Sequence, residues 1–359
     1  MVGRTKIAVC AGLASIALLA PGAAQGKTKN VDIGTPRSAQ ETFQQRYQSD
    51  VNDFFPHTVT VNVGDSVRFR PTGAFHTVDL PPRGEGAVSF ISAGAPAAGV
   101  VDAAGAAFWF NGQPVLSFNP ELLRPSFGRT LTYNGSRRVN SGLPLQQRPR
   151  PMTVRFTRRG SYTYYCDIHP GMRGVVRVRP QGRRVPTAAQ DRRAVQAQID
   201  RAEEVAEGLK DIAPPPGVVH VGSAGRGGVE YFGMVPGTIT VPVGTTLQFR
   251  MSPGSYEDHT ATFGPGDPEN DPNSYLGQIA AGFQGETFDP RATYPSEPPG
   301  TTGTLTSLLH GNGFWNSGVL DASDATPLPA GNAVTFGQPG TFTYACLIHP
   351  FMKGTVIVQ

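Results

Sequence analysis

The sequence predicts an all-β protein built as two β-sandwiches joined by a helical connector, and three observations carry that prediction. Glycine and proline fill 44 and 33 of the 359 positions, just over a fifth, which suits a turn-rich β chain better than a helical one. The sequence also repeats with a period of 180 residues. TVTVNVGDSVRFRP at 58–71 recurs as TITVPVGTTLQFRM at 238–251, and GSYTYYCDIHPGMRGVVRV at 160–178 recurs as GTFTYACLIHPFMKGTVIV at 340–358. Helical periodicity is missing from both copies and convincing only between them. The length suits two domains, and apolar residues at 38% with charged residues at 16% exclude both a membrane-embedded chain and a charge-driven disordered one.

Taken in order, residues 1–24 read as an export signal. Arg4 and Lys6 precede an apolar run over residues 7–20, and Gly22, Ala23 and Ala24 offer a cleavage site near Ala24. The run is too short to span a bilayer, so the mature chain is expected in the periplasm or outside the cell with no integral membrane segment. Cys10 leaves with the signal, and Cys166 and Cys346 remain. Residues 25–53 are polar and patternless, and read as an extended or partly disordered leader. The first sandwich is expected over 54–180, where alternation puts Val59, Val61 and Val63 on one face and Val67 and Phe69 on the next strand's apolar face. The connector spans 181–216: Pro186-Thr187 is a start signal, Val195, Ile199, Ala202, Val205, Ala206 and Leu209 recur at helical spacing, and Pro214-Pro215-Pro216 ends it. The second sandwich occupies 217–359. Weaker echoes join the copies: Ser117-Phe118-Asn119-Pro120 with Thr287-Phe288-Asp289-Pro290, and Asn140-Ser141-Gly142 with Asn316-Ser317-Gly318.

The chemistry lies at the end of each copy. A period of two puts Tyr162, Tyr164 and Cys166 on one inward face, and Phe342, Tyr344 and Cys346 on its equivalent. A His follows each Cys by three residues and a Met follows each His by three, giving Cys166, His169, Met172 and Cys346, His349, Met352 on short loops stiffened by Pro170 and Pro350. His76 and His259, each just after the second repeated strand, supply a fourth donor. Two imidazoles, a thiolate and a weak thioether form the ligand set of a blue-copper electron-transfer centre. A disulfide between Cys166 and Cys346 is the ordinary reading in an oxidising compartment, but each Cys holds the same inward place in a separate copy, with its own His and Met. Zinc suits sulfur and nitrogen donors yet has no need of a Met.

At these residues the sequence resembles the cupredoxin family, of the plastocyanin and amicyanin type; the Cys-x-x-His-x-x-Met loops are amicyanin-like, and His349-Pro350-Phe351-Met352 is especially close. The resemblance implies Greek-key sandwiches and two type 1 coppers, one held by His76, Cys166, His169 and Met172, the other by His259, Cys346, His349 and Met352. It implies an electron carrier for redox partner proteins, with His169 or His349 as the electron port flanked by Gly171 or Phe351, and a homo-oligomer as a possible assembly. The chain departs from the family in two places. Residues 81–151 and 264–330 are long insertions holding Trp109 and Trp315, and Thr77 and Thr260 stand where members often have Asn.

Alternatives are a copper storage or delivery protein, and a two-domain copper oxidoreductase with an added interface copper. The remaining histidines, His57, His220 and His310, form no His-x-His pair, and the sequence has no phosphate loop, nucleophile elbow or H-E-x-x-H motif. Arg137-Arg138 and the basic stretch at 148–159 follow an export signal and lack a nucleic-acid fold, so no nucleic-acid partner is expected. The net charge of +4 hides an asymmetry: residues 25–180 carry 19 basic and 10 acidic residues, whereas residues 213–359 carry 4 basic and 11 acidic. The two copies are therefore expected to meet different partners or attract one another.

Overall fold

The computed structural model describes residue 1 and residues 26–359 except 74 and 324. The segment read as an export signal, with Cys10, otherwise lies outside the described residues. No described helix is long and apolar enough to cross a membrane.

Strands dominate, as the composition predicts. In the N-terminal half the alternating pattern at Ser66–Pro71 buries Val67 and Phe69 and exposes Arg68 and Arg70. That strand lies at the centre of a five-stranded sheet, between Thr28–Ile33 and Met152–Phe156, with Phe54–Phe55 and Thr130–Tyr133 outermost. A second five-stranded sheet runs Val139–Asn140, Asp79–Leu80, Gly160–Tyr165, Arg173–Arg179, Thr58–Asn62. Both sheets contribute inward residues to one core, Val31, Val67, Phe69 and Val154 from the first and Val59, Val61, Tyr164 and Val176 from the second. The C-terminal half has the same arrangement, a six-stranded sheet facing a five-stranded one over a core that includes Leu247, Phe249, Trp315, Tyr344 and Val356.

The connector helix forms at Ala188–Ala206. Its Thr187 accepts from the Gln190 backbone N–H while the Gln190 side chain accepts from the Thr187 N–H, a capping box that satisfies two orphan donors. Its buried face, Ile199, Ala202 and Ala206, packs on Phe43, Tyr47, Val51, Phe55 and Val229.

Residues 26–53, the described part of the segment read as a leader over 25–53, are not the loose stretch their composition suggests. Thr28–Ile33 pairs in parallel with Ser66–Pro71 and buries Val31 and Ile33. Ser49–Val51 then crosses to the C-terminal half, pairing with Val229–Val235. Two apolar residues in six give too weak an alternation to be read from sequence, because the partner strands lie far off in the chain. The described residues of the insertions pack together as well. Phe108 and Phe110 of the first share an apolar cluster with Leu276, Ile279, Ala292 and Phe314 of the second. The echoed motifs meet each other there: Ser117 bridges to Thr287, and the Phe118 and Phe288 rings stack edge to face at 4.8 Å. Trp315 is fully buried, while Trp109 is half-buried and donates its indole N–H to the Pro295 carbonyl at 2.9 Å.

Candidate functional site

Each candidate centre is built by a hairpin and one crossing segment. Gly160–Tyr165 ends just before Cys166, and Arg173–Arg179 begins just after Met172. Two backbone hydrogen bonds close the loop between them. The Cys166 N–H donates to the Met172 carbonyl at 3.0 Å, and the Met172 N–H donates to the His169 carbonyl at 3.0 Å. The C-terminal loop repeats this, Cys346 to Met352 at 3.0 Å and Met352 to His349 at 2.8 Å. The echoed serines fix the crossing segments: Ser141 Oγ accepts from the Val78 N–H at 2.8 Å, Ser317 Oγ from the Ala261 N–H at 2.9 Å, two residues beyond His76 and His259 respectively.

These restraints bring the predicted donors together. His76 Nδ1 lies 2.8 Å from His169 Nδ1, and Cys166 Sγ lies 3.9 and 3.5 Å from the two nitrogens. A circle through three atoms so spaced has a radius of about 2 Å, the length of a nitrogen–metal bond. In the other half His259 Nδ1 and His349 Nδ1 are 3.1 Å apart, and Cys346 Sγ is 3.8 Å from His259 Nδ1. Met172 and Met352 are buried in the same cores as Cys166 and Cys346. Both thiols are free. A buried thiol and two imidazole nitrogens, with a thioether in the same core, fit a soft or borderline cation. Among the described residues, these are the two groups of three or more His, Cys, Asp or Glu donors close enough to share an ion. His57 lies beside Asp53, His310 between Asp102 and Glu297, and His220 is alone with a buried, partnerless Nδ1.

Thr77 and Thr260 do the stiffening that the missing Asn leaves open. Each donates its backbone N–H to the thiol, Thr77 at 3.4 Å and Thr260 at 3.3 Å. Each hydroxyl also accepts the N–H of the residue after the Cys, from Asp167 at 2.7 Å and from Leu347 at 2.8 Å. Thr77 Oγ1 further donates to the Asp167 carboxylate at 2.9 Å. Room for His259 comes from Gly222, whose φ of 83° admits glycine and whose place a Cβ would fill 2.8 Å from His259 Nε2.

The two centres differ electrostatically. Burial opposes a Cys166 thiolate, but the His169 and His76 rings facing it hold the thiol well below its ordinary pKa. Burial pushes the Cys346 thiol up instead, and the backbone N–H groups around it compensate in part. His259 is pushed down to about 3 by burial and by His349 beside it.

A carboxylate that the motif reading did not assign to the centres also lies between them. Glu257 is buried, and its Oε1 lies 3.3 Å from His169 Nε2 while its Oε2 lies 3.8 Å from His349 Nε2. Asn52 Nδ2 donates to Oε1 at 2.8 Å. The His169 edge, expected at the surface, is 6% exposed and turned to this carboxylate. Gly171 is covered by the Tyr256 ring, with which a Cβ would collide. Phe351 is exposed, as expected, at a cleft of about 600 Å³ that His76, His169, Glu257, His349 and Phe232 also line. The sequence signal was faint: Glu257 precedes His259 by two, where the first copy has Ala74.

No known protein family and no curated protein matches the chain by sequence. Among solved structures, the chain is similar to a reduced Cu(I) amicyanin mutant at pH 4, with 16% identity over 42% of this chain and 87% of that one, TM-score 0.22. It is similar to amicyanin from Paracoccus versutus, with 16% identity over 42% of this chain and 89% of that one, TM-score 0.22. Plastocyanin from Dryopteris crassirhizoma aligns with 18% identity over 40% of this chain and 99% of that one, TM-score 0.20.

Proposed function

We propose that the chain is an exported electron-transfer protein carrying two type 1 copper centres, one in each of two sandwich domains at 54–180 and 217–359. His76, Cys166, His169 and Met172 hold one ion and His259, Cys346, His349 and Met352 the other. The observation that supports this most strongly is the pair of His, His, Cys groups, each gathered within 4.8 Å and each with a Met buried in the same core as its Cys. Copper bound in such a set supplies one-electron exchange between Cu(I) and Cu(II). The surrounding residues hold the donors still. Core aromatics such as Tyr164 and Tyr344 pack beneath the cysteines, the loop hydrogen bonds fix the spacing from Cys to Met, and Thr77 and Thr260 orient the sulfurs. A rigid site needs little rearrangement when its charge changes, and burial keeps water from the sulfur.

Titrating the metal-free mature protein with copper tests this reading. Two equivalents are expected to bind, with an intense visible thiolate band. Cys166→Ser and Cys346→Ser are each expected to remove one equivalent and part of that band. Copper bound without the band would instead indicate storage or delivery.

A further inference from the structure

Where the loop histidines point decides what the two centres can do to each other. His169 turns its Nδ1 to the Cys166 sulfur and His349 turns its Nδ1 to His259 Nδ1, which leaves the Nε2 of each facing out of its group. Those two outward edges, from opposite halves of the chain, turn to the same carboxylate: Glu257 Oε1 is 3.3 Å from His169 Nε2 and Oε2 is 3.8 Å from His349 Nε2. The carboxylate is 7% exposed. Asn52 reaches it from the position just after the strand that pairs with the C-terminal sheet. The loop carrying Glu257 is pinned from below, because Glu230 accepts from the Tyr256 N–H at 2.6 Å and the Ser255 hydroxyl at 3.1 Å. A buried charge so held is poorly screened by solvent, and it touches a ligand of each centre.

We infer that Glu257 is a shared positioning residue: one carboxylate, contributed by the C-terminal half, orients the loop histidine of both centres and sets the redox equilibrium of both. The inference rests on the two-centre reading above. A negative charge against the far side of an imidazole ligand favours the more positive, oxidised ion. Removing that charge therefore favours the reduced one, most strongly where the contact is shortest. The unexpected consequence lies across the interface, since a substitution two residues from His259 should act chiefly on the centre built by His76, Cys166, His169 and Met172.

The test places Glu257→Gln, nearly isosteric with the native side chain, in two backgrounds and measures potentials by spectroelectrochemistry. In Cys346→Ala, which leaves the N-terminal centre alone, the expected shift toward Cu(I) is about tenfold, or about 59 mV for one electron. In Cys166→Ala the shift has the same direction and is smaller. An unmoved N-terminal potential overturns the inference, whereas a parent without any thiolate band overturns the copper reading. A copper-free readout separates the two. In the metal-free protein, Glu257→Gln is expected to shift the Nε2 nitrogen-15 resonances of both His169 and His349, and an unchanged His169 resonance overturns the shared contact whatever the metal. Should Glu257→Gln fail to fold, Asn52→Ala frees the carboxylate while keeping its charge and is expected to move the same two resonances; if neither moves, the inference fails.

Discussion

Thr77 shows how much a single hydroxyl carries. It accepts the Asp167 N–H and donates to the Asp167 carboxylate, so one side chain ties the crossing segment to the ligand loop. Thr77→Val keeps the shape and the backbone N–H to Cys166 but strands the buried Asp167 N–H and removes one of three donors to the Asp167 carboxylate, leaving Asn140 and Val88. The expected cost is about 1–3 kcal/mol in denaturant unfolding of the metal-free protein, with a displaced thiolate band when copper is added. Gly222→Ala puts a methyl against His259 at a left-handed φ, so copper binding is expected to fall to one equivalent, retained at the N-terminal centre; metal analysis checks it. The two His, His, Cys groups were legible in the sequence because the candidate donors recur as fixed residue types at fixed spacing. The place of Glu257 between the two groups was not, since the acidic pair Glu257-Asp258 before His259 reads only as local negative charge and has no counterpart in the first copy.

Among the elements, the helix announced itself through its cap and apolar stripe, and the repeated strands through alternation. The strand at Thr28–Ile33 and the insertions did not, because their apolar residues are satisfied by partners distant in sequence. The insertions are clasped by His310, whose Nδ1 lies 3.1 Å from Asp102 and Nε2 3.0 Å from Glu297. Its φ of 50° is a strained setting for a non-glycine residue, and the two carboxylates and the Ala103 N–H hold it there. Burial works against a charged ring, but hydrogen bonds to Glu297 and Asp102 prevail and raise its pKa above 6.5. A raised folded-state pKa contributes stability that is complete below the unfolded value and is lost as pH rises through the folded one. His310→Gln is therefore expected to lower the unfolding temperature more at pH 5.5 than at pH 9; equal losses at both would show that the clasp is not ionic.

At the scale of the molecule, the near-neutral total conceals a basic N-terminal half and an acidic C-terminal half, and the structure sets His169 of one donor group and His349 of the other on either side of Glu257. Sequence repetition pointed to two equivalent sites. It could not show that they meet, because the contact depends on the Ser49–Val51 strand leaving one half to pair with the other. The central claim is that both sites exchange electrons through copper. Its most direct measurement is a reductive titration of the copper-loaded protein, following the thiolate band. The account predicts complete bleaching at two electrons per chain, reversible on reoxidation, and one electron in either Cys166→Ala or Cys346→Ala. Bleaching at one electron in the unaltered protein, or copper that takes up electrons with no thiolate band, would contradict it.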